Sequence, residues 1–437
     1  RENTEENTEG KHKIFEKLGG RNYIIGEEKM KKIKLGVVGL GGRGESMIHT
    51  LLTIDGVEIS AVCDVYKDRV EYAAKAVCEK GFSAPEQTCD YCDLLNGKTV
   101  NAVYIATSWE THIPVAIDFL RAGIPVALEV GGSLDIAELW ALVDAWEETK
   151  TPFMFMENCC YGKDELLGTA LARRGILGEI VHCSGQYGHD LRQEVATGKE
   201  KRHYRLQHYL HESCENYPTH ELGPIAKLLD INRGNRMVSL VSVASTAAGM
   251  KAYVEKNEKT LENKDLQEKE FKQGDIVDTI ITCENGETIR LCLDTTLPRS
   301  YDRAFTVRGT EGLYNQSLNY VYSDGMEESF NTLAHNKKFI DNAAKYEKEY
   351  LPDIWKNVTD EELESGHGGM DVFVCRAFAD TLRNNSEMPI DVYDAAAWMC
   401  ITALSAESIK RGGAPVQIPD FTRGKYKNRP SKDVLPL

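Results

Sequence analysis

Two rhythms of apolar and polar positions divide the chain. From Ile33, short apolar runs alternate with stretches of helical period. The runs are Ile33–Val38, Val57–Cys63, Ala102–Ala106, Pro125–Leu128 and Pro152–Met156. Between them, Glu45–Leu52, Arg69–Lys80, Ile113–Ala122 and Asp135–Thr149 repeat apolar residues every three or four positions. Short strands buried on both faces and separated by helices predict a parallel, doubly wound sheet. Beyond Asn158 the rhythm changes. Glu165–Arg174 predicts a helix stopped by Gly175. Longer strand-like runs follow at Glu179–Tyr187, Met237–Ser245, Ile276–Glu284 and Thr288–Thr295. Glu284-Asn285-Gly286 has hairpin chemistry, and Gly309-Thr310-Glu311-Gly312 marks a turn between Phe305–Arg308 and Leu313–Tyr314. This half therefore reads as an α+β domain with a large, open, mostly antiparallel sheet. Lys256–Gln273 reads as a charge-dense solvated loop or helix, and Asp391–Arg411 as a final helix ended by Gly412-Gly413.

Composition narrows the functional classes. At 437 residues and 42% apolar content the chain builds two or three folded domains rather than a disordered one. Its net charge of −16 argues against a nucleic-acid partner, because phosphate binding needs a basic face. No apolar run approaches the roughly 18–20 residues that span a bilayer; Ala395–Leu404 reads as a buried helix. The twelve cysteines are scattered, several inside strand-like runs, as buried thiols are in a reducing cytosol. Only Cys89-Asp90-Tyr91-Cys92 has the spacing of a zinc or redox half-site, and no second pair completes it, so no metal is expected. His203, His208 and His211 cluster in sequence without a carboxylate or cysteine to finish a ligand set, and read as a polar loop over a cleft. The N-terminal 30 residues have no apolar signal core, which points to a cytoplasmic protein with a solvated extension. The chain opens on Arg rather than Met, which leaves room for an upstream stretch.

The first strand runs directly into Gly39-Leu40-Gly41-Gly42-Arg43-Gly44, which fits G-x-G-x-x-G and opens a helical stretch. The first glycine permits the tight turn, the second lets backbone approach a pyrophosphate, and the third lets helix and strand pack closely. Asp64 lies 20 residues past Gly44, at the end of the second strand. A carboxylate there holds ribose hydroxyls and repels a 2′-phosphate, favouring NAD over NADP, although Arg43 is placed to meet a phosphate. Residues 31–157 thus read as a Rossmann domain binding NAD, after an extension at 1–30. Residues 158–437 read as the substrate domain, with the helix and tail from about 391 packing back on the core.

Further stretches carry a resemblance. Ala106-Thr107-Ser108-Trp109-Glu110-Thr111-His112 and Leu128-Glu129-Val130-Gly131 resemble the glucose–fructose oxidoreductase/inositol dehydrogenase family. Most dehydrogenases of that family carry Glu-Lys-Pro where this chain has Glu129-Val130-Gly131, so the assisting lysine is missing. The replacement resembles the NAD-dependent glycosidase branch, glycoside hydrolase family 109. So do Glu157–Tyr161, Tyr187–Arg192, His203–Leu206, Asn216–Pro224 and Gly366–Asp371. The resemblance implies that Gly41, Gly42, Arg43, Gly44, Asp64, Trp109, Glu110, Thr111, His112, Glu129, Val130 and Asn158 line NAD. It further implies that Tyr187, Arg205, Tyr217, Pro218, Thr219, His220 and Tyr301 line an amino sugar, and that the chain forms a homo-oligomer through its C-terminal sheet.

The chemistry this resemblance implies is a redox route to hydrolysis, an exception to the usual carboxylate pair. Hydride leaves sugar C3, the C2 proton becomes acidic, the C1 substituent is expelled, water adds and hydride returns. His220 is the candidate base for the 3-hydroxyl. Tyr217 lies three residues earlier and shares a face with it if a helix opens there, with Pro218 in the first turn. Tyr187 or Tyr301 is the candidate base at C2, with Arg205 as the cation that would lower a phenol. The expected substrates are N-acetylhexosaminides, above all α-N-acetylgalactosaminides. The competing readings are a net NAD-dependent sugar or inositol dehydrogenase, against which the missing lysine weighs, and an NAD-binding sensor without catalysis.

Overall fold

The structure, a computed structural model, describes residues 32–325 and 341–437, so the extension expected at 1–30 lies outside the described residues. Strands β1 (Ile33–Val38), β2 (Val57–Cys63), β3 (Glu86–Thr88), β4 (Ala102–Ile105), β5 (Val126–Leu128) and β6 (Phe153–Phe155) form an all-parallel sheet in the order β3-β2-β1-β4-β5-β6. The order reverses between β1 and β4, which opens a crevice at the carboxyl ends of the strands. Strand interiors such as Val37, Val62, Val103 and Ala127 are fully buried, as near-continuous apolar runs require. The sheet also contains β3, which the apolar pattern misses: Glu86-Gln87-Thr88 is a polar edge strand paired on β2 alone. The helices start earlier than periodicity indicates, at Gly42, Lys67 and Trp109, because first-turn residues need not be apolar.

The second domain carries β7 (Ile180–Gly188), β8 (Met237–Ala244), β9 (Ile276–Cys283), β10 (Thr288–Asp294), β11 (Thr306–Gly309), β12 (Gly312–Asn315), β13 (Tyr320–Ser323) and β14 (Val416–Gln417). They form one sheet in the order β13-β12-β11-β7-β10-β9-β8-β14, antiparallel except for the parallel pair β7–β10. Gly286, at φ 104°, turns the β9–β10 hairpin. The Lys256–Gln273 stretch is not simply solvated. It ends a helix at Lys256 and is pinned by buried Leu261, Leu266 and Phe271.

The helix Val392–Lys410 joins the halves. Asp391 caps it, accepting from the Tyr393 and Asp394 amides. Trp398 is fully buried and meets the Phe155 ring at 6.1 Å, while Ser408 Oγ accepts the Ser242 amide of β8 at 2.8 Å. Apolar on all sides, this helix is the buried element its composition predicts. No helix among the described residues is long and apolar enough to cross a membrane. All twelve cysteines are free; eight are buried, and Cys89 and Cys92 are exposed.

Candidate active site

The site begins where β1 ends. Gly39 has φ 92°, and a Cβ there would lie 2.5 Å from the Ala106 carbonyl of the neighbouring strand end. A Cβ on Gly44 would run into the Gly39 carbonyl oxygen. These two positions let β1, β4 and the following helix close on one another. Gly41 is extended and caps the helix Gly42–Leu51, whose first free N–H groups therefore sit inside the glycine turn. A Cβ on Gly42 would meet nothing within 4 Å, so open space lies beside a helix N-terminus that favours an anion. Asp64 closes the turn from β2. Its Oδ2 accepts the Leu40 amide at 2.7 Å and its Oδ1 the Tyr66 amide at 3.0 Å, leaving lone pairs for ribose hydroxyls. This cradle fits a dinucleotide.

Arg43 does something other than meet a phosphate. Its Nε donates to Glu129 Oε1 at 2.9 Å, and its two terminal nitrogens donate to Asp371 at 2.8 and 2.9 Å. The guanidinium is thus consumed by two buried carboxylates. Glu129 also accepts from the Tyr104 hydroxyl, and Asp371 accepts from Asn158 Nδ2 at 2.7 Å and pairs with His367 Nδ1 at 2.8 Å. Burial alone raises the Asp371 carboxyl, but His367 and Arg43 hold it far below the usual carboxylate range. One network therefore locks the glycine turn, the end of β5, Asn158 and the helix Met370–Asn384 together.

Trp109 opens the helix after β4 and forms the crevice wall. Its indole stacks on Tyr217 at 5.6 Å and 25°, meets Tyr204 at 4.8 Å, and lies under the Arg205 guanidinium at 5.0 Å. On its other side it lies against Gly131, where any Cβ would strike the indole. Val130 is buried beside Glu129. Thr111 Oγ1 donates to the Ser108 carbonyl at 3.0 Å, securing the first turn. Burial pushes His112 down to about 4, so it is neutral. Glu110 is engaged by His208 Nε2 at 2.9 Å, which draws its carboxyl down to about 2. The three neighbouring histidines do not converge on one point: His208 takes Glu110, His203 takes Glu194 at 3.6 Å, and His211 bonds the Gln207 carbonyl.

On the opposite wall, the helix Thr219–Leu228 is capped by Pro218, so Tyr217 and His220 flank one turn with ring centroids 4.8 Å apart. Thr219, between them, is fully buried. His220 Nδ1 lies 2.7 Å from Glu157 Oε1, which also accepts the Cys159 amide at 3.0 Å. Burial would raise the Glu157 carboxyl; the adjacent imidazole outweighs it and holds the group ionised. Tyr187, from the end of β7, packs its ring against Tyr217 at 4.6 Å and faces His220 at 5.6 Å. Tyr301 is drawn in by an isolated bridge between Gly188 and Asp302; it stands 5.2 Å from the His189 ring and is 45% exposed.

Arg205 does not lower the tyrosines as expected. Burial dominates, and the phenols of Tyr187 and Tyr217 are pushed upward despite the guanidinium, itself paired through Nε with Glu194 at 2.8 Å. Tyr301 is raised too, by burial and by the nearby Cys159. Tyr187 has another outlet: its hydroxyl lies 3.1 Å from His189 Nδ1, and burial and Arg205 keep His189 below its ordinary value. Glu157, Asp371, His189 and Glu194 were not singled out from the sequence. The first three lie inside the stretches that carry the resemblance, but no spacing pairs Glu157 with His220, 63 positions away.

Residues 33–156 match the family model of the oxidoreductase family with an NAD-binding Rossmann fold, and residues 161–428 match the C-terminal domain of glycosyl hydrolase 109. The chain belongs to glycoside hydrolase family 109. A family 109 protein of Parabacteroides distasonis is 35% identical, covering 92% of this chain and 90% of its own. An alpha-N-acetylgalactosaminidase of Tannerella forsythia is also 35% identical, covering 91% of this chain and 88% of its own. Among solved structures, levoglucosan dehydrogenase in complex with NADH and levoglucosan aligns with a TM-score of 0.67 at 18% identity, covering 89% of this chain and 100% of that one. Scyllo-inositol dehydrogenase from Lactobacillus casei with NAD(H) and scyllo-inositol aligns at 0.61 and 15%, over 89% and 99%. This family 109 enzyme is therefore a glycoside hydrolase built on an oxidoreductase fold.

Proposed function

We propose that this enzyme hydrolyses N-acetylhexosaminides, foremost α-N-acetylgalactosaminides, by the transient-oxidation route, with NAD as a recycled cofactor. The observation that carries the reading is the buried Glu157–His220 pair set against Tyr187 and Tyr217, at the mouth of the crevice that Trp109 walls. NAD, when bound against Gly41–Gly44 and Asp64, supplies a reversible hydride acceptor for C3 of the sugar. His220 takes the 3-hydroxyl proton, and the Glu157 carboxylate at 2.7 Å stabilises the resulting imidazolium. Tyr187 takes the C2 proton as its own passes to His189, which avoids building a phenolate that burial disfavours. Loss of that proton loosens the C1–O bond, and the protonated groups then serve as acids on the return. The Tyr217 face and the Arg205 guanidinium, 4.9 Å from it, orient the sugar and its N-acetyl group. On the same reading a second copy docks on the outward face of the eight-stranded sheet, where Val243 and Ile280 are exposed.

The test is incubation with nitrophenyl α-N-acetylgalactosaminide in deuterium oxide. Nitrophenol release without NADH accumulation, and deuterium at C2 of the product, supports the reading. Accumulating NADH with free ketosugar supports a dehydrogenase instead, and neither product refutes catalysis on these sugars.

A further inference from the structure

Chain order offered no complete set of metal ligands, but the fold assembles one. Glu157, Cys159 and His220 each present one ligand atom, and these atoms lie within 4.8 Å of one another. All three residues are buried: Glu157 is 0%, Cys159 1% and His220 7% exposed. Among the described residues this is the only group of three or more histidine, cysteine and acidic side chains that converges in this way.

The donor set is specific in chemistry. One thiolate, one imidazole nitrogen and one carboxylate oxygen suit a borderline-soft divalent cation such as Zn2+, and not the hard, oxygen-seeking Mg2+ or Ca2+. A tetrahedral ion with bonds of about 2.0–2.3 Å holds its ligand atoms about 3.5 Å apart, so a shift of roughly an ångström closes the set. Glu157 Oε1 and His220 Nδ1 already stand 2.7 Å apart. Charge also fits. Carboxylate plus thiolate carry two negative charges around a neutral imidazole. Arg303, the cation nearest in influence to Cys159, is taken up by Glu165 at 2.7 and 3.0 Å.

We propose that Glu157, Cys159 and His220 bind Zn2+ or a similar cation, and that its occupancy silences the enzyme by capturing the His220 nitrogen and the Glu157 carboxylate. Binding expels the thiol proton to solvent, and the proton shared by His220 and Glu157 moves to His220 Nε2, which keeps the imidazole neutral and leaves it unable to accept a proton; no redox change occurs. The binding site stands on geometry alone, whereas the silencing rests on the role assigned to His220 above.

The dinucleotide-loaded protein is titrated with Co2+, which reports a thiolate ligand by a near-ultraviolet charge-transfer band. One equivalent is expected to give the band in wild type, and Zn2+ to bleach it. In Cys159→Ser the band is lost and Co2+ affinity falls at least about tenfold, while Cys78, Cys89 and Cys92 remain as an internal control for adventitious thiols. Zn2+ inhibits hydrolysis, EDTA restores it, and Cys159→Ser keeps basal activity but tolerates at least about tenfold more Zn2+. Cys159→Ala, checked for bound dinucleotide, repeats the test should the serine variant misfold. Absence of the band in wild type, or equal binding by wild type and both variants, overturns the proposal. The titration needs no turnover, so a wild type that binds Co2+ through its thiolate but cleaves no hexosaminide refutes the glycosidase reading and leaves the metal site standing.

Discussion

Replacing Glu157 by Gln isolates the electrostatic part of the His220 base. The amide keeps the volume and an oxygen for Nδ1–H, but removes a full charge 2.7 Å from the imidazole. That separation lies at the short end of charge-assisted hydrogen bonds. Glu157 is fully buried, so water does not screen the loss. Hydrogen bonds to charged groups contribute about 1.5–3 kcal/mol. At about 1.36 kcal/mol per tenfold, the step that protonates His220 slows by about 10- to 150-fold. Glu157 is fully buried behind the His220 ring, so on the proposed mechanism it does not touch the sugar and KM should change less than about threefold. Steady-state hydrolysis of the nitrophenyl glycoside measures both constants, and thermal unfolding checks that the variant folds. A fall in kcat smaller than threefold, or an effect confined to KM, would refute the claim that this carboxylate stabilises a charged imidazole.

Three further outcomes follow from the same geometry. Arg43→Met strands Asp371 and Glu129 without their cation; breaking a buried pair from one side costs about 3–5 kcal/mol, read as a lower urea midpoint with unchanged slope. Gly131→Ala forces a methyl group into the Trp109 indole, an overpacking cost of about 1–3 kcal/mol, with loss of dinucleotide as Trp109 shifts. A lower melting temperature with reduced NAD content on gel filtration checks it; unchanged values would show that the indole swings aside freely. His112 has a folded pKa of about 4 against an ordinary 6.5, so the unfolded chain binds the proton more readily. Its neutral burial therefore costs nothing above pH 6.5 and removes up to about 3 kcal/mol as pH falls to 4. Urea unfolding across this range should show a shallower pH dependence in His112→Gln, and an identical slope would place the cause elsewhere.

Much of the architecture is legible from one-dimensional pattern because its causes are local. The strands Ile33–Val38 and Val57–Cys63 follow from apolar runs that must be buried on both faces, and the glycine turn from a backbone that only glycine can adopt at Gly39. Asp64 is placed by its offset from a strand end, whereas Tyr217 and His220 are pointed to by the family resemblance, and their spacing sets only that they flank one helical turn. The polar edge strand β3 escapes because it buries no face of its own. What sequence order leaves open is partnership across long separations. Arg43 faces an imagined phosphate until Asp371, 328 positions away, and Glu129 claim its guanidinium. Tyr187 has Arg205 as the evident cation until burial outweighs it and His189 proves the closer acceptor. Glu157, Cys159 and His220 come together only when the turn after β6 meets the start of a helix some 60 residues later. Proton affinity and charge pairing depend on distance and desolvation, and both are properties of the packed chain rather than of its order.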